Sequence, residues 1–275
     1  MSSLMRGSLL TLKSMGFNAL LREALRRIFG IKYRHRGIPI DSSNTFRIIR
    51  KALLRGYDIY GFDSEILIRT SFGEFCVEIA DMELLGVLLE PIEDMYGFVD
   101  VRGAVVVDIG AYIGETALFF LSRGAHRVYA LEPVDRHYRY LQRNILRNNA
   151  MGRVIPMNYG AWFRETALNV NYEGAGTGLR TAAGAPVTIR VRHLSDILRE
   201  VFRGEGRIDL VKMDCEGCEY SLIKLSTEDI RLAKQYIVEV HGSEGPIVDR
   251  MIECGYKHKF IKNVASLLTI HYFTQ

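Results

Sequence analysis

The stretch Val105-Val106-Val107-Asp108-Ile109-Gly110-Ala111-Tyr112-Ile113-Gly114-Glu115-Thr116 decides the fold class. Its apolar run reads as a buried strand, and the glycines that follow mark a tight turn into a helix. A helix N-terminus offers N–H groups without intrahelical partners. Glycine lets the backbone approach a ligand that a Cβ would block. A dinucleotide site would carry G-x-G-x-x-G to seat a pyrophosphate. Here two of the three glycine positions are Asp108 and Ile113. A carboxylate at the first position repels a pyrophosphate and attracts an ammonium group, which favours the methionine end of S-adenosylmethionine over NAD. Asp108, Gly110, Ala111, Tyr112, Gly114 and Thr116 are the expected cofactor turn.

Working outward, Arg127–Leu131 reads as the next strand and ends in Glu132-Pro133. An acid about 20 residues past a glycine turn is placed to accept both ribose hydroxyls. The third strand ends at Asn158-Tyr159-Gly160, where Asn158 is expected to hydrogen-bond an adenine and Tyr159 to stack on it. Strands are predicted at 104–108, 127–131, 153–157, 208–213 and 235–240, with closing strands at 256–261 and 266–273. Helices are predicted at 115–123, 135–148, 219–225 and 246–254. This alternation predicts an α/β Rossmann-like fold, a mostly parallel seven-stranded sheet with helices on both faces. Ligands in such sheets sit at the carboxyl ends of the strands, where strand order switches.

Two further segments carry candidate chemistry. Asp214-Cys215-Glu216-Gly217-Cys218-Glu219 gathers three carboxylates where a buried strand becomes a helix. Such a cluster attracts cations, and mutual repulsion raises its pKa values. In Tyr236-Ile237-Val238-Glu239-Val240-His241, the Glu and His stand two apart on a strand and share a face. Asp214, Glu216, Glu219, Glu239 and His241 are the expected catalytic group, with His241 as a base of near-neutral pKa. Asp214 also counts as a cofactor residue. No metal site is expected, because no further ligand set accompanies Asp214 and Glu216.

Together, the run from Asp108 to Glu132-Pro133, the D-x-E-G-x-E segment and Glu239-Val240-His241 resemble the FkbM family of methyltransferases over roughly residues 90 to 273. The resemblance implies a class I S-adenosylmethionine fold and methylation of a hydroxyl on a sugar, glycan or other small molecule. By position, Asp108, Gly110, Gly114 and Glu132 match the family's cofactor turn and ribose acid. Asp214, Glu216 and Glu219 match its acidic segment, and Glu239 with His241 its E-x-H. The chain departs at Tyr112, where the family commonly has Asn, and at Cys218, where it has a small residue. The rival enzyme reading is RNA methylation. Base-amino enzymes usually show D/N-P-P-Y/F where this chain has Asp214-Cys215-Glu216-Gly217, no Pro-Cys nucleophile occurs, and an acidic pocket repels phosphate. A scaffold that binds the cofactor without catalysis should have lost glycines or acids, and all are present.

The remaining features bound the setting. The chain has 275 residues, 48% hydrophobic and 25% charged, enough for one α/β domain with additions. Its net charge of +4 is uneven: residues 1–36 hold eight Lys or Arg against Glu23, a local +7, leaving about −3 elsewhere. Four cysteines are not a disulfide framework, and Cys215 with Cys218 reads as a pair of small packing residues. With no apolar run of about 20 residues and no leader-like N-terminus, the expected location is cytoplasmic, or peripheral to a membrane. Three regions are expected: a basic N-terminal helix (1–37), a helix-and-hairpin cap (38–100) and the methyltransferase domain (101–275). In the first, Phe17, Leu21, Leu25 and Ile28 recur at helical spacing opposite Arg22, Arg26 and Arg27. That amphipathic helix reads as docked on the main domain, in contact with an anionic membrane, or as a self-association surface.

Overall fold

The computed structural model describes residues 3–172 and 185–275. The chain divides into two compact units, Met1–Pro91 and Ile92–Gln275. The basic helix and most of the cap, read separately in the sequence, thus share one unit. Residues 92–100 go with the second unit, where Tyr96 and Val101 are buried.

In the first unit, helices Ser3–Met15 and Phe17–Phe29 form a hairpin that breaks at Gly16. Helix Ser43–Leu54 starts where the Ser42 side chain accepts from the Thr45 amide, satisfying one orphan donor. The predicted hairpin is present as Glu65–Arg69 paired with Glu74–Glu78. Its turn is closed by the Thr70 amide donating to the Gly73 carbonyl at 2.9 Å. Asp58–Phe62 adds a third antiparallel strand. Ile79–Leu89 is a 3-10 segment interrupted at Asp81. Met82, Leu84, Leu85 and Leu88 are all buried, so packing rather than an amphipathic stripe holds it. Among the described residues no helix is long and apolar enough to cross a membrane.

The second unit contains the predicted sheet. Its strands are β1 (Val105–Ile109), β2 (Arg127–Leu131), β3 (Val154–Met157), β4 (Leu210–Met213), β5 (Gln235–His241), β6 (Lys257–Ala265) and β7 (Leu268–Thr274). The order is β3-β2-β1-β4-β5-β7-β6. The first five strands run parallel. β7 pairs antiparallel with β5 and with β6, as a chain returning through a hairpin must. Helices α1 (Glu115–Ser122), α2 (Asp135–Arg147), α3 (Leu194–Glu205) and α4 (Gly245–Glu253) complete it.

Alternation along β1 sends Val105, Val107 and Ile109 into a core shared with α3 and α4. Val106 and Asp108 therefore point to the other face, where Asp108 meets Thr116 of α1. Sequence reading passed over α3, although Leu194, Ile197, Leu198 and Val201 carry a clear helical stripe and all are buried. It also passed over a side sheet of Gly160–Trp162, Thr166–Tyr172 and Ala185–His193. The helix expected at 219–225 is a 3-10 segment, Cys218–Lys224.

Candidate active site

Strand order reverses between β1 and β4, so their carboxyl ends open the crevice where such sheets bind ligands. Gly110 sits there with φ +82°, and Gly114 with φ +97°, both in the region glycine favours. The reason for Gly110 differs from the one expected. A Cβ on it would lie 1.8 Å from the Asp214 carbonyl oxygen, and one on Gly114 would lie 2.9 Å from Leu141 Cδ1. Backbone packing demands glycine at position 110, and the left-handed φ demands it at position 114, where the nearest atom is the tip of a flexible side chain. Ala111 is buried and its amide donates to the Leu131 carbonyl, so it closes the turn from within.

Asp108 is also corrected. It is fully buried and faces Lys212 Nζ at 3.1 Å, while Thr116 Oγ1 donates to it at 2.6 Å. It cannot meet a ligand's ammonium group, and Thr116 spends its hydroxyl inside the protein. Lys212, which sequence reading missed, is wholly buried and also donates to the Gly110 carbonyl at 2.9 Å. Burial pulls its pKa down, but Asp108, Asp214 and Glu115 outweigh that and raise it, so the ammonium keeps its charge. The signal was legible: a lysine inside Leu210-Val211-Lys212-Met213 has nowhere to go but inward. The acid that remains accessible is Asp214, whose side chain is 29% exposed and lies 3.7 Å from Lys212 Nζ.

Glu132 stands where its spacing placed it, at the end of β2. Its two oxygens accept from the Tyr112 and Val134 amides at 3.0 and 2.8 Å, and His137 Nδ1 lies 3.4 Å away. The carboxylate is thereby fixed and is only 4% exposed, though two oxygens with about four lone-pair sites retain acceptor capacity. Tyr112 reaches this position with φ +49°, its ring 4.3 Å from that of His137. Asn158 Nδ2 donates to the Glu132 carbonyl at 3.2 Å. Tyr159 was expected to stack on adenine, but the Arg192 guanidinium sits 4.8 Å over its ring and donates to its hydroxyl. An open groove of about 590 Å³ runs past Asn158, Tyr159, Thr166 and Arg190. Gly160 is buried, where a Cβ would press Val191 and Pro133. Glu132, Asn158 and Asp214 fit S-adenosylmethionine by the chemistry of their oxygens and amide, whereas Asp108 and Thr116 are spent on each other and on Lys212 inside the protein.

The five expected catalytic residues do converge, in unequal roles. His241 Nε2 lies 3.5 Å from Glu216 Oε2 and 3.9 Å from Glu239 Oε1. Its Nδ1 lies 3.4 Å from Glu219 Oε1, an ion-pair distance. Glu219 is wholly buried and accepts from the Gly217 and His241 amides at 2.7 and 2.9 Å. It pins the acidic turn to the end of β5 and is not a residue that meets substrate. Glu239 is 6% exposed. Glu216 and His241 keep partial exposure, their side chains at 22% and 17%.

Cys215 and Cys218, expected as packing residues, form a disulfide across this turn. It spans Glu216 and Gly217, which have φ +55° and +116°. Burial lowers the His241 pKa, but Glu219, Glu216 and Asp214 together raise it to about 9. The unperturbed base expected from sequence is instead an imidazolium at neutral pH, because carboxylates surround it. Asp214, Glu239 and His241 each also place one donor atom within 4.8 Å of the others, a span one divalent cation could bridge.

Comparison with known proteins identifies the family. The chain is 24% identical to a methyltransferase, sdnD, from Sordaria araneosa over 247 residues, covering 77% of this chain and 88% of that protein. It resembles the structure of an FkbM methyltransferase from Methylobacillus flagellatus KT at 20% identity and TM-score 0.48, covering 70% of this chain and 52% of that one. It thus spans about half the length of that structure. A structure of TYW2 from M. jannaschii with AdoMet is 18% identical, with TM-score 0.42, covering 78% and 87%. The pattern of the methyltransferase FkbM domain matches residues 108–258, more than half of the chain and from the first acid of the glycine turn into β6. The chain therefore belongs to the FkbM methyltransferases and takes S-adenosylmethionine as its cofactor.

Proposed function

We propose that the chain methylates a hydroxyl oxygen on a sugar, glycan or other small-molecule acceptor. The observation that carries this reading is the meeting of partly exposed Asp214, Glu216 and His241 at the carboxyl ends of β4 and β5. The cofactor, when bound, supplies a methyl group activated by a positive sulfur. The protein must hold the acceptor oxygen in line at about 3–3.5 Å and take its proton. Glu219 is wholly buried with both oxygens on backbone amides, and Glu239 is less exposed than Glu216. That leaves Glu216 as the carboxylate that accepts the hydroxyl proton. His241, protonated at neutral pH, fixes the Glu216 carboxylate through Nε2 and keeps the acidic cluster together. Asp214, beside the glycine turn, supplies negative charge toward the cofactor's cationic end.

The test is incubation of the protein with methyl-labelled S-adenosylmethionine and cell fractions. Label in a small-molecule or glycan fraction that survives mild base, as an ether does, supports the proposal. Label in RNA overturns it. On the identified acceptor, Glu216→Gln should lower turnover by about 10²–10⁴-fold with cofactor affinity kept. A chelator arm belongs in the same assay: loss of turnover restored by added magnesium would assign Asp214, Glu239 and His241 to a cation and overturn the metal-free account of proton removal.

A further inference from the structure

The helix Phe17–Phe29 packs with the wrong face outward for a helix that only completes a core. Its buried residues are Ala19 and Glu23. Glu23 is held there by Arg26 and Arg27, with Nε atoms 2.8 and 2.7 Å from its oxygens, and Arg26 goes on to donate to Ser43. Of the apolar stripe that the sequence displays, Leu25 is half-buried and the rest is left in solvent: Phe17 is 67% exposed, Leu21 49% and Ile28 70%. At 3.6 residues per turn these three lie on one line, with Arg22 to one side and Arg27 to the other. Exposed Leu9 and Leu12 on the preceding helix, and Phe29 and Ile31 just beyond, extend the apolar character of the hairpin. Lys13, Arg22 and Lys32 are exposed around it.

We infer that this helical hairpin is a docking surface for an anionic lipid bilayer. Large apolar side chains flanked by arginines suit a helix lying in the interface, its apolar face among the acyl chains and its cations among headgroups. The local charge of +7 over residues 1–36 fits a negative surface. The same charge opposes a second copy of the chain as occupant, because a two-fold contact would bring two such segments together. The apolar stripe separates this surface from a purely electrostatic nucleic-acid site, which needs cations and no exposed phenylalanine.

The full chain is sedimented with vesicles of phosphatidylcholine alone and of phosphatidylcholine mixed with phosphatidylglycerol. Binding to the anionic vesicles that weakens with salt is expected, with little on the neutral ones. Arg22→Ala and Lys32→Ala should each lower the partition coefficient about fivefold. The double variant Leu21→Ser with Ile28→Ser should abolish it, and both positions are exposed enough that circular dichroism should stay unchanged. Absence of binding, equal binding to both vesicle types, or full binding by the Leu21/Ile28 variant would each overturn the inference. So would light scattering that shows a dimer dissolved by Ile28→Ser, since the stripe would then belong to self-association.

Discussion

Replacing Lys212 with methionine keeps the length of the side chain and removes one charge from the interior. In the native protein its Nζ lies 3.1 Å from Asp108, 3.7 Å from Asp214 and 2.9 Å from the Gly110 carbonyl, with 1% of the side chain exposed. Lys212→Met leaves Asp108, itself without exposure, with the hydrogen bond that the Thr116 hydroxyl donates. Removing one member of a buried ion pair costs about 3–5 kcal/mol. Against a typical domain stability of about 5–15 kcal/mol, that is a large fraction, and about 3 kcal/mol already raises the unfolding constant more than 100-fold. Removing both charges, in Lys212→Met with Asp108→Asn, should recover part of the loss, because Asp108 is the nearest of the carboxylates that Lys212 compensates.

The assay is urea unfolding followed by tryptophan fluorescence. The chain's single tryptophan, Trp162, lies in the Ile92–Gln275 unit, so its emission reports that unit alone. The raised pKa of Lys212 makes its contribution complete below the unfolded value of 10.5 and lost only above that. Titration of Lys212 therefore does not change the penalty between pH 6 and pH 8, and a smaller penalty at pH 6 would report protonation of the carboxylate left unpaired. A loss below about 1 kcal/mol, or a double variant no more stable than the single one, would refute the reasoning that an unpaired Asp108 carboxylate destabilises the interior.

Glu132→Ala should weaken S-adenosylmethionine binding in calorimetry by about 1.5–3 kcal/mol for each ribose hydrogen bond lost. Unchanged affinity would remove Glu132 from the site. For His241, a folded pKa of about 9 against 6.5 means stabilisation that is complete below 6.5 and fades as pH rises through about 9. Trp162-monitored stability should fall over that window in the wild type, and His241→Gln should flatten the fall. Gly110→Ala should impair folding of the Ile92–Gln275 unit rather than binding alone, since its Cβ meets backbone oxygen at 1.8 Å. A folded variant with normal Trp162 emission that merely fails to bind cofactor would return Gly110 to a ligand-clearance role.

Much of this site could be read from residues close together in the chain. The strand, turn and helix of Val105–Thr116 are a contiguous run, and each step follows from local sterics and apolar patterning. Glu132 and His241 could be placed because each ends a strand whose length and direction the pattern defines. Relations between distant residues were not legible. Asp108 and Lys212 are 104 positions apart, and only the pairing of β1 with β4 brings them together and turns an expected ligand contact into a buried ion pair. Glu219 reads as one acid among three, yet the end of β5 presents the His241 amide to it and makes it a structural pin. The same cluster of carboxylates decides that His241 holds its proton. In the N-terminal hairpin, sequence determined that Phe17, Leu21 and Ile28 share one side of a helix. Which side faces water was decided by the tertiary structure, because Glu23 finds Arg26 and Arg27 on the inner face and burial follows the partners available there.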